Sequence, residues 1–534
     1  MELLERMLVR ARTDANSRAS LPLKISLSPL DLYMGHFITG GVHFFLRPPS
    51  IERLADALAT AIRLHSSFDA CLMREDNLLA LYCGNTGVYL SVYRSEKECP
   101  DFRSGASLFT DIIPTDNGFP WMLSSGSYSP SYLHSADLSN RAYQEELPYL
   151  RVAEPSARYS SSNVHKLSDL PEQLLSEKLI AEPGAHENNP TIIYTLNSGA
   201  PVADFRLVLF KDRGCALVFR HVHSLGDGAS TFHFLQNWSR IYRGEKVSPP
   251  SVFNRADIFR VGSGDGVAPS KKLNIVQIAD LNVSGIEAIP DDKTRSNEPI
   301  SGNTVVERRG AIRIDIAEST LAYFVSGCQM QASHRLSSSE ILHALVWQCF
   351  ALAQPCDDQL PTRIHTLFNL RNLEGLGIPD GYEGSAVLGR SATATYAELR
   401  CMGIHELASM FKRHTKPLAV ADIQRDIGYL AREYADGHID LGGHYTRFVI
   451  EAWLDCKGER GLIVNDLRTL TNIDLRFEDS PARMEIMVGT EINMVSIYPN
   501  DDGTITVHYV GEQATLPSFA NHLLCILGVG RPGS

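Results

Sequence analysis

The apolar positions of the chain change period several times, and each change marks an element. From Phe205 to Phe219, "FRLVLFKDRGCALVF" is apolar and rich in β-branched and aromatic residues, as buried strands are. "FRHVHSLGDGAST", Phe219–Thr231, follows, and then "FHFLQNWSRIY", whose apolar residues return at helical spacing. A strand, a glycine-containing turn and a helix are predicted in that order, with Gly244 near the helix end. Earlier, "IERLADALATAIRLH" reads as an amphipathic helix, apolar at Leu54, Ala55, Leu58, Ile62 and Leu64. "LLALYC", the turn "GNTG" and "VYLSVY" predict a hairpin, and the charged N-terminus "MELLERMLVRARTDANSRAS" has helical spacing.

The second half mixes the two periods again. "AIRIDI" and "IHTLFNLR" read as strands. "LSSSEILHALVWQCFALAQ" reads as a helix with serines for a cap and Pro355 beyond its end. "ELASMFKRH", "IQRDIGYLAREYADG" and "LPSFANHLLCILGVG" are helical, and "NMVSIYP-NDDG-TITVHYV" is a hairpin by its alternation and Asp-Gly turn. Two stretches lack period. Glu96–Asn163 is rich in Ser, Pro, Gly and Asp and reads as an irregular insertion or lid. Residues 246–308 carry the breakers "SPPS", "GSGDG" and "PDDKTRSNEP" and read as a crossover linker. The pattern predicts an α/β chain in two halves, 1–245 and 309–534, each with strands and helices, and 534 residues suit two large domains or three small ones.

Composition narrows the function. A net charge of −12 argues against a nucleic-acid binder but allows a local basic pocket for a phosphorylated small molecule. No stretch has the length of uncharged apolar residues that a membrane span needs, and the N-terminus lacks a signal-peptide core, so a cytoplasmic protein is expected. The ten cysteines are scattered with no C-x-x-C pair, which predicts reduced thiols and no metal site. "NWS" at Asn237 and "NVS" at Asn282 are read as chance glycosylation matches.

The candidate chemistry lies in "HSLGDG", His223–Gly228. A neutral imidazole takes a proton near neutral pH and returns it to a leaving group. Gly226 and Gly228 are read as permitting a tight turn that side chains would crowd. Asp227, four residues after His223, is able to face elsewhere and orient the turn through a salt bridge. His221 is read as a packed or hydrogen-bonded neighbour. The same residues also fit a solvated turn with ordinary Asp-Gly chemistry.

These motifs, taken with "LSPLD" at Leu27–Asp31, the tryptophan helices around Trp238 and Trp347, "NLRNL" followed by "GYEGSAV", and the closing "VSIYPNDDGTITVHY", resemble the BAHD acyltransferases, in their fungal specialised-metabolism form. "DLRFEDSP", Asp474–Pro481, departs from that family's D-F-G-W-G-x-P, and "GS" at Gly384–Ser385 from its Gly-Asn. The resemblance implies two similarly sized, chloramphenicol acetyltransferase-like α/β domains, each a mixed sheet with helices, and an active site at their interface. It makes His223 the general base, Asp227 a structural aspartate beside Gly228, and Arg371 its salt-bridge partner. Asn465 and Arg468 are candidates for contacts to the donor. The implied reaction moves an acyl group from acyl-CoA to a hydroxyl or amine of a small-molecule acceptor, with no covalent acyl-enzyme, no permanently bound cofactor and a monomeric enzyme. Two alternatives stay open: an intramolecular cyclisation on the same scaffold, and a non-catalytic binding protein. A standalone condensation domain fits less well, because Val222 separates His221 from His223.

Overall fold

The computed structural model describes residues 2–99 apart from 12–23, 34–37, 76–77 and 84–85; 201–247; 255; 275–277; 309–435 apart from 372, 380 and 416–418; and 444–529 apart from 447–454, 457–459, 471–473, 480, 482, 487–491 and 501. The first half runs through β1 (Glu2–Val9), β2 (Lys24–Ser26), α1 (Pro29–Tyr33), β3 (Ile38–Phe45), α2 (Ile51–Leu64), β4 (Ala70–Glu75), β5 (Leu78–Cys83), β6 (Val88–Arg94), β7 (Ala203–Leu209), β8 (Cys215–Val222) and α3 (Gly228–Tyr242). After β9 (Ile275–Gln277) come β10 (Arg309–Ala317), α4 (Glu318–Gln331), α5 (Ser338–Ala353), β11 (Pro361–Asn369), β12 (Val387–Thr395), α6 (Tyr396–Cys401), α7 (Ile404–Thr415) and α8 (Val420–Ala435). The chain closes with β13 (His444–Thr446), β14 (Gly461–Asp466), β15 (Arg483–Ile486), β16 (Met494–Pro499), β17 (Thr504–Glu512) and α9 (Leu516–Ile526). The segment read as an insertion lies outside the described residues from 100 onward, and so does most of 246–308.

Two six-stranded sheets organise the molecule. The first has the order β1-β6-β7-β8-β3-β15, with β6 and β7 parallel and its other neighbours antiparallel. The second has the order β10-β17-β16-β14-β11-β12, with β14 parallel to both β16 and β11. Both are mixed sheets with helices, so the α/β expectation holds. Helix α2 lies against α3 over the first core, its N-terminal amide at Arg53 capped by the Ser50 hydroxyl. Helix α5 is buried at the centre of the second core, between α7 and α9. Its serines form a reciprocal capping box of Ser337 with Glu340. Among the described residues no helix is long and apolar enough to cross a membrane. All ten cysteines are free, and Asn237 is buried inside α3, where no sugar can be attached.

Two local expectations fail for the same reason. The N-terminal stretch is the strand β1, not a helix: Met7, Leu8 and Val9 are buried consecutively and pair with Val88–Leu90 of β6. The predicted hairpin is not formed either. β5 pairs with β4 and β2 in a separate three-stranded sheet, while β6 joins β1 and β7. In both stretches local spacing fits two structures, and the long-range partner decides.

The second half reaches back into the first. Strand β15 pairs with β3, and Leu370, Tyr382, Ala386, Ile423 and Phe477 are buried in the first core. The divergent segment "DLRFEDSP" is part of this return. Phe477 stands edge-on to Phe45, Trp238 and Tyr242 at ring separations of 5.3–5.7 Å. Arg243 of the chain just past α3 donates to the Arg476 carbonyl at 2.7 Å and to Asp474 at 2.9 Å. The segment thus docks onto the helix that begins at the candidate site. Phe477→Ala is expected to destabilise the fold by about 3–5 kcal/mol, as truncation of a buried phenylalanine does; a denaturant titration that finds less than about 1 kcal/mol would remove this segment from the account of the core.

Candidate active site

The site begins where β8 runs out. Every residue of β8 is buried, and the chain then makes one 3-10 turn, His223–Leu225, before Asp227 caps α3. The Asp227 carboxylate accepts from the Ser230 amide at 3.2 Å, which is an ordinary N-cap bond. Its other oxygen accepts from Arg371 Nη1 at 2.6 Å and from the Ala386 amide at 2.9 Å. Burial works to raise the Asp227 pKa, but Arg371 and these hydrogen bonds outweigh it and hold the carboxyl below the usual carboxylate range. None of its bonds goes to His223, so the aspartate faces away from the base, as the four-residue offset predicts.

Arg371, just past β11, has nearly every donor used. Besides Asp227 it donates to the Ser230 hydroxyl at 3.2 Å and to the carbonyls of Tyr382 at 3.1 Å and Gly384 at 2.7 Å. The planar fork suits this array of acceptors better than a lysine would. The two residues lie 144 positions apart in sequence, and their pair joins the two halves at the site.

Of the two glycines read as necessary, only Gly226 is. A Cβ there would stand 2.5 Å from the Glu383 carbonyl and 2.7 Å from Ser230 Cβ. At Gly228, the first residue of α3, a Cβ would meet only Leu470 Cδ1 at 3.5 Å, an ordinary contact. The expectation of crowding at Gly228 is therefore corrected: the turn is already complete there, and the backbone is helical.

His223 lines a cavity of about 570 Å³ between the two halves. Thr39, Phe219 and Phe232 wall it from the first half, and Phe368, His343 and Asn465 from the second. The cavity sits at the carboxyl ends of the parallel strands β11 and β14, where open α/β sheets usually bind ligands. His223 Nδ1 is shut away from solvent with no bond to another residue, which leaves Nε2 as the nitrogen open to the cavity. Burial pushes the His223 pKa down, against the opposing pull of its own backbone carbonyl, Asp227 and Asp31. The ring is therefore a neutral base at pH 7.

The neighbouring histidine is occupied. His221 Nδ1 donates to the Val222 carbonyl at 2.9 Å, and Nε2 meets the Thr231 hydroxyl at 2.7 Å. Burial pushes its pKa down to about 4. The two donor-contact candidates separate. Asn465, at the end of β14, lines the cavity, whereas Arg468 is not in its wall and its guanidinium is held by Asp466 at 2.7–2.8 Å. "LSPLD" also finds a structural reason. Ser28 and Asp31 exchange hydrogen bonds at 2.8 and 3.1 Å, and Asp31 accepts from the Ser385 amide at 2.6 Å.

Sequence reading missed His343, Glu383 and His65. His343 sits in a run read only for its helical period, its ring held between the Ser339 carbonyl at 2.7 Å and Thr366 at 2.8 Å. Glu383 stands in "GYEGS", which reads only as part of a motif, and it is buried against His65. The available signal was its place between Tyr382 and Gly384 in a motif already singled out.

A family model described as "Transferase family" matches residues 175–456, more than half of the chain. Among curated proteins, hydroxycinnamoyltransferase 2 of Oryza sativa subsp. japonica is 27% identical over 203 residues, 37% of this chain and 42% of the relative. Hydroxycinnamoyl-CoA:5-hydroxyanthranilate N-hydroxycinnamoyltransferase HHT1 of Avena sativa is 27% identical over 199 residues, 37% of this chain and 43% of the relative. The chain thus spans less than half the length of these two relatives. Among solved structures, vinorine synthase is similar with a TM-score of 0.55 at 12% identity, covering 98% of both chains. TRI101 of F. sporotrichioides, complexed with coenzyme A and T-2, has a TM-score of 0.59 at 12% identity, covering 92% of this chain and 96% of that one. These two likenesses establish the fold.

Removing Arg371 leaves the Asp227 charge buried and unpaired. Arg371→Ala is expected to cost about 3–5 kcal/mol of stability, and Asp227→Asn less. The double variant is expected to cost well under the sum of the two, and additive losses in a denaturant titration would reject the pair. In the same assay Gly226→Ala is expected to destabilise, whereas Gly228→Ala is expected to be neutral or to stabilise by about 0.5–1 kcal/mol.

Proposed function

The chain belongs to the Transferase family, the BAHD acyltransferases that its motifs resemble, and from that premise we propose that it transfers an acyl group from acyl-CoA to a hydroxyl or amine of a small-molecule acceptor. One observation carries the reading. A neutral His223, with Nδ1 enclosed and Nε2 open, faces a cavity lined from both halves and large enough for a ligand.

In the proposed reaction donor and acceptor meet in that cavity. His223 Nε2 takes the acceptor proton as its oxygen or nitrogen attacks the thioester carbonyl. The C–S bond breaks as the tetrahedral adduct collapses, and the thiolate recovers the proton from His223. Asp227 keeps the turn in place and takes no proton, because Arg371, Ser230 and the Ala386 amide occupy its oxygens. Holding both reactants beside one base supplies the proximity that a covalent acyl-enzyme would otherwise provide. Asn465 is the better candidate for a contact to the donor, since Arg468 is engaged with Asp466 and outside the cavity wall. Ser337 is a helix cap and takes no part as a nucleophile.

Thiol release from short, long and aromatic acyl-CoAs, offered with pooled alcohols and amines, tests the reading. His223→Ala is expected to lower turnover by about 10²–10⁴-fold, and near wild-type turnover sinks the mechanism. The pH dependence has a fixed sign. Protonated His223 cannot accept a proton, so kcat/KM should be level above neutrality and fall on the acid side, with its inflection below 6.5. An inflection on the alkaline side would contradict His223 as the base.

A further inference from the structure

One short segment carries a dense set of bonds between the halves. From Tyr382 to Ala386 every residue is bonded to the site. The Tyr382 hydroxyl donates to Ser28 Oγ at 3.1 Å, and its carbonyl accepts from Arg371 at 3.1 Å. The Gly384 carbonyl accepts from Arg371 at 2.7 Å and from Ser230 at 3.2 Å. The Ser385 amide donates to Asp31 and the Ala386 amide to Asp227. Glu383 is the one charged side chain among them, and it is buried. Its carboxylate accepts from His65 Nδ1 and, at 3.1 Å, from the Ser67 hydroxyl. His65 is fixed in turn, because its Nε2 accepts from the Asn237 amide of α3 at 3.0 Å.

We infer that Glu383, through His65 and Ser67, is a positioning residue for the His223 base. Its carbonyl lies against Gly226, inside the turn between His223 and Asp227, so a shift at Glu383 presses on that turn. Its chain neighbour Gly384 shares Arg371 with Asp227, so the same shift moves the carboxylate that caps α3. A buried carboxylate tolerates few settings, because each oxygen needs a donor that no water supplies. Burial pushes the Glu383 carboxyl up, but His65, Arg255 and the bonds from His65 and Ser67 outweigh it and keep it below the usual range. The bonds to His65 and Ser67, with His65 held in turn by Asn237, fix the segment at one register against α2 and α3. Neither Glu383 nor His65 lines the cavity, so any effect on substrate passes through the turn that carries His223 and Asp227.

The kinetic arm of the test rests on the acyl-transfer reading, and the spectroscopic arm does not. Glu383→Ala and His65→Ala are each expected to lower kcat about 10–100-fold, the scale of a displaced catalytic group, with KM for acyl-CoA within about twofold. The double variant should fall no further. Glu383→Gln keeps the His65 Nδ1 bond on its oxygen, and the Ser67 hydroxyl turns to accept from its amide, so most of kcat should return. In protein carrying 13C-labelled histidine, the His223 ring resonance, assigned by its loss in His223→Ala, should move in Glu383→Ala and return in Glu383→Gln. If Glu383→Ala fails to fold, Ser67→Ala and His65→Asn carry the same measurements. Unchanged kcat and an unmoved His223 resonance overturn the inference. So does a loss of melting temperature with kcat and KM changed alike and the resonance still in place. Should the wild type release no thiol from any acyl-CoA, the acyl-transfer reading fails, and the resonance alone decides the positioning role.

Discussion

The buried pair of Asp227 with Arg371 is the constraint on which the rest of the site depends. A carboxylate in the interior is tolerated only with its oxygens bonded and its charge opposed. Asp227 meets both conditions with groups 144 and 159 residues away in sequence. The chain cannot satisfy this aspartate without bringing β11 and the segment after it against the start of α3. That approach closes the cavity on two sides and leaves His223, four residues earlier, at its wall.

The interface is polar for a stretch of five residues, and the burial of so many donors and acceptors has a mechanical result. Apolar contacts slide at little expense, whereas an array of directed bonds fits in one register. Asp31, Asp227 and Glu383 are acidic groups buried near one another, and each is opposed by a guanidinium or an imidazole from a distant part of the chain. His223 is treated differently. His223 has its inner nitrogen enclosed without a bond to another residue, so burial depresses its pKa and nothing outside its own backbone orients the ring.

Much of this was legible in the sequence. α2, α3, α5, α7, α8 and α9 follow the helical period, and β10, β11, β16 and β17 follow the strand patterns read there. "HSLGDG" and the arginine of "NLRNL" were legible through resemblance, and the structure brings Asp227 and Arg371 together. What was not legible depended on partners far along the chain. β1 was decided by pairing, because a short mixed run satisfies either period, and β5 and β6 are the strands read there but take their partners from elsewhere in the chain. Gly228 looked like Gly226 because a glycine's letter does not say what stands beside it. Glu383 carried no signal of its own, because its partners His65 and Ser67 lie more than 300 residues away.

The sequence by itself determined which local elements could form and which residue types were present to do chemistry: a strand, a turn and a capped helix around one histidine. Those outcomes rest on interactions within a few residues, where period, caps and turn propensities act directly. The tertiary structure alone decided that Gly226 and not Gly228 is crowded, that Arg468 is outside the cavity, and that Glu383 is buried. Each of those is a statement about groups tens to hundreds of residues apart. Their positions follow from the packing of two sheets and their helices, a sum over many weak contacts that no short stretch of letters contains.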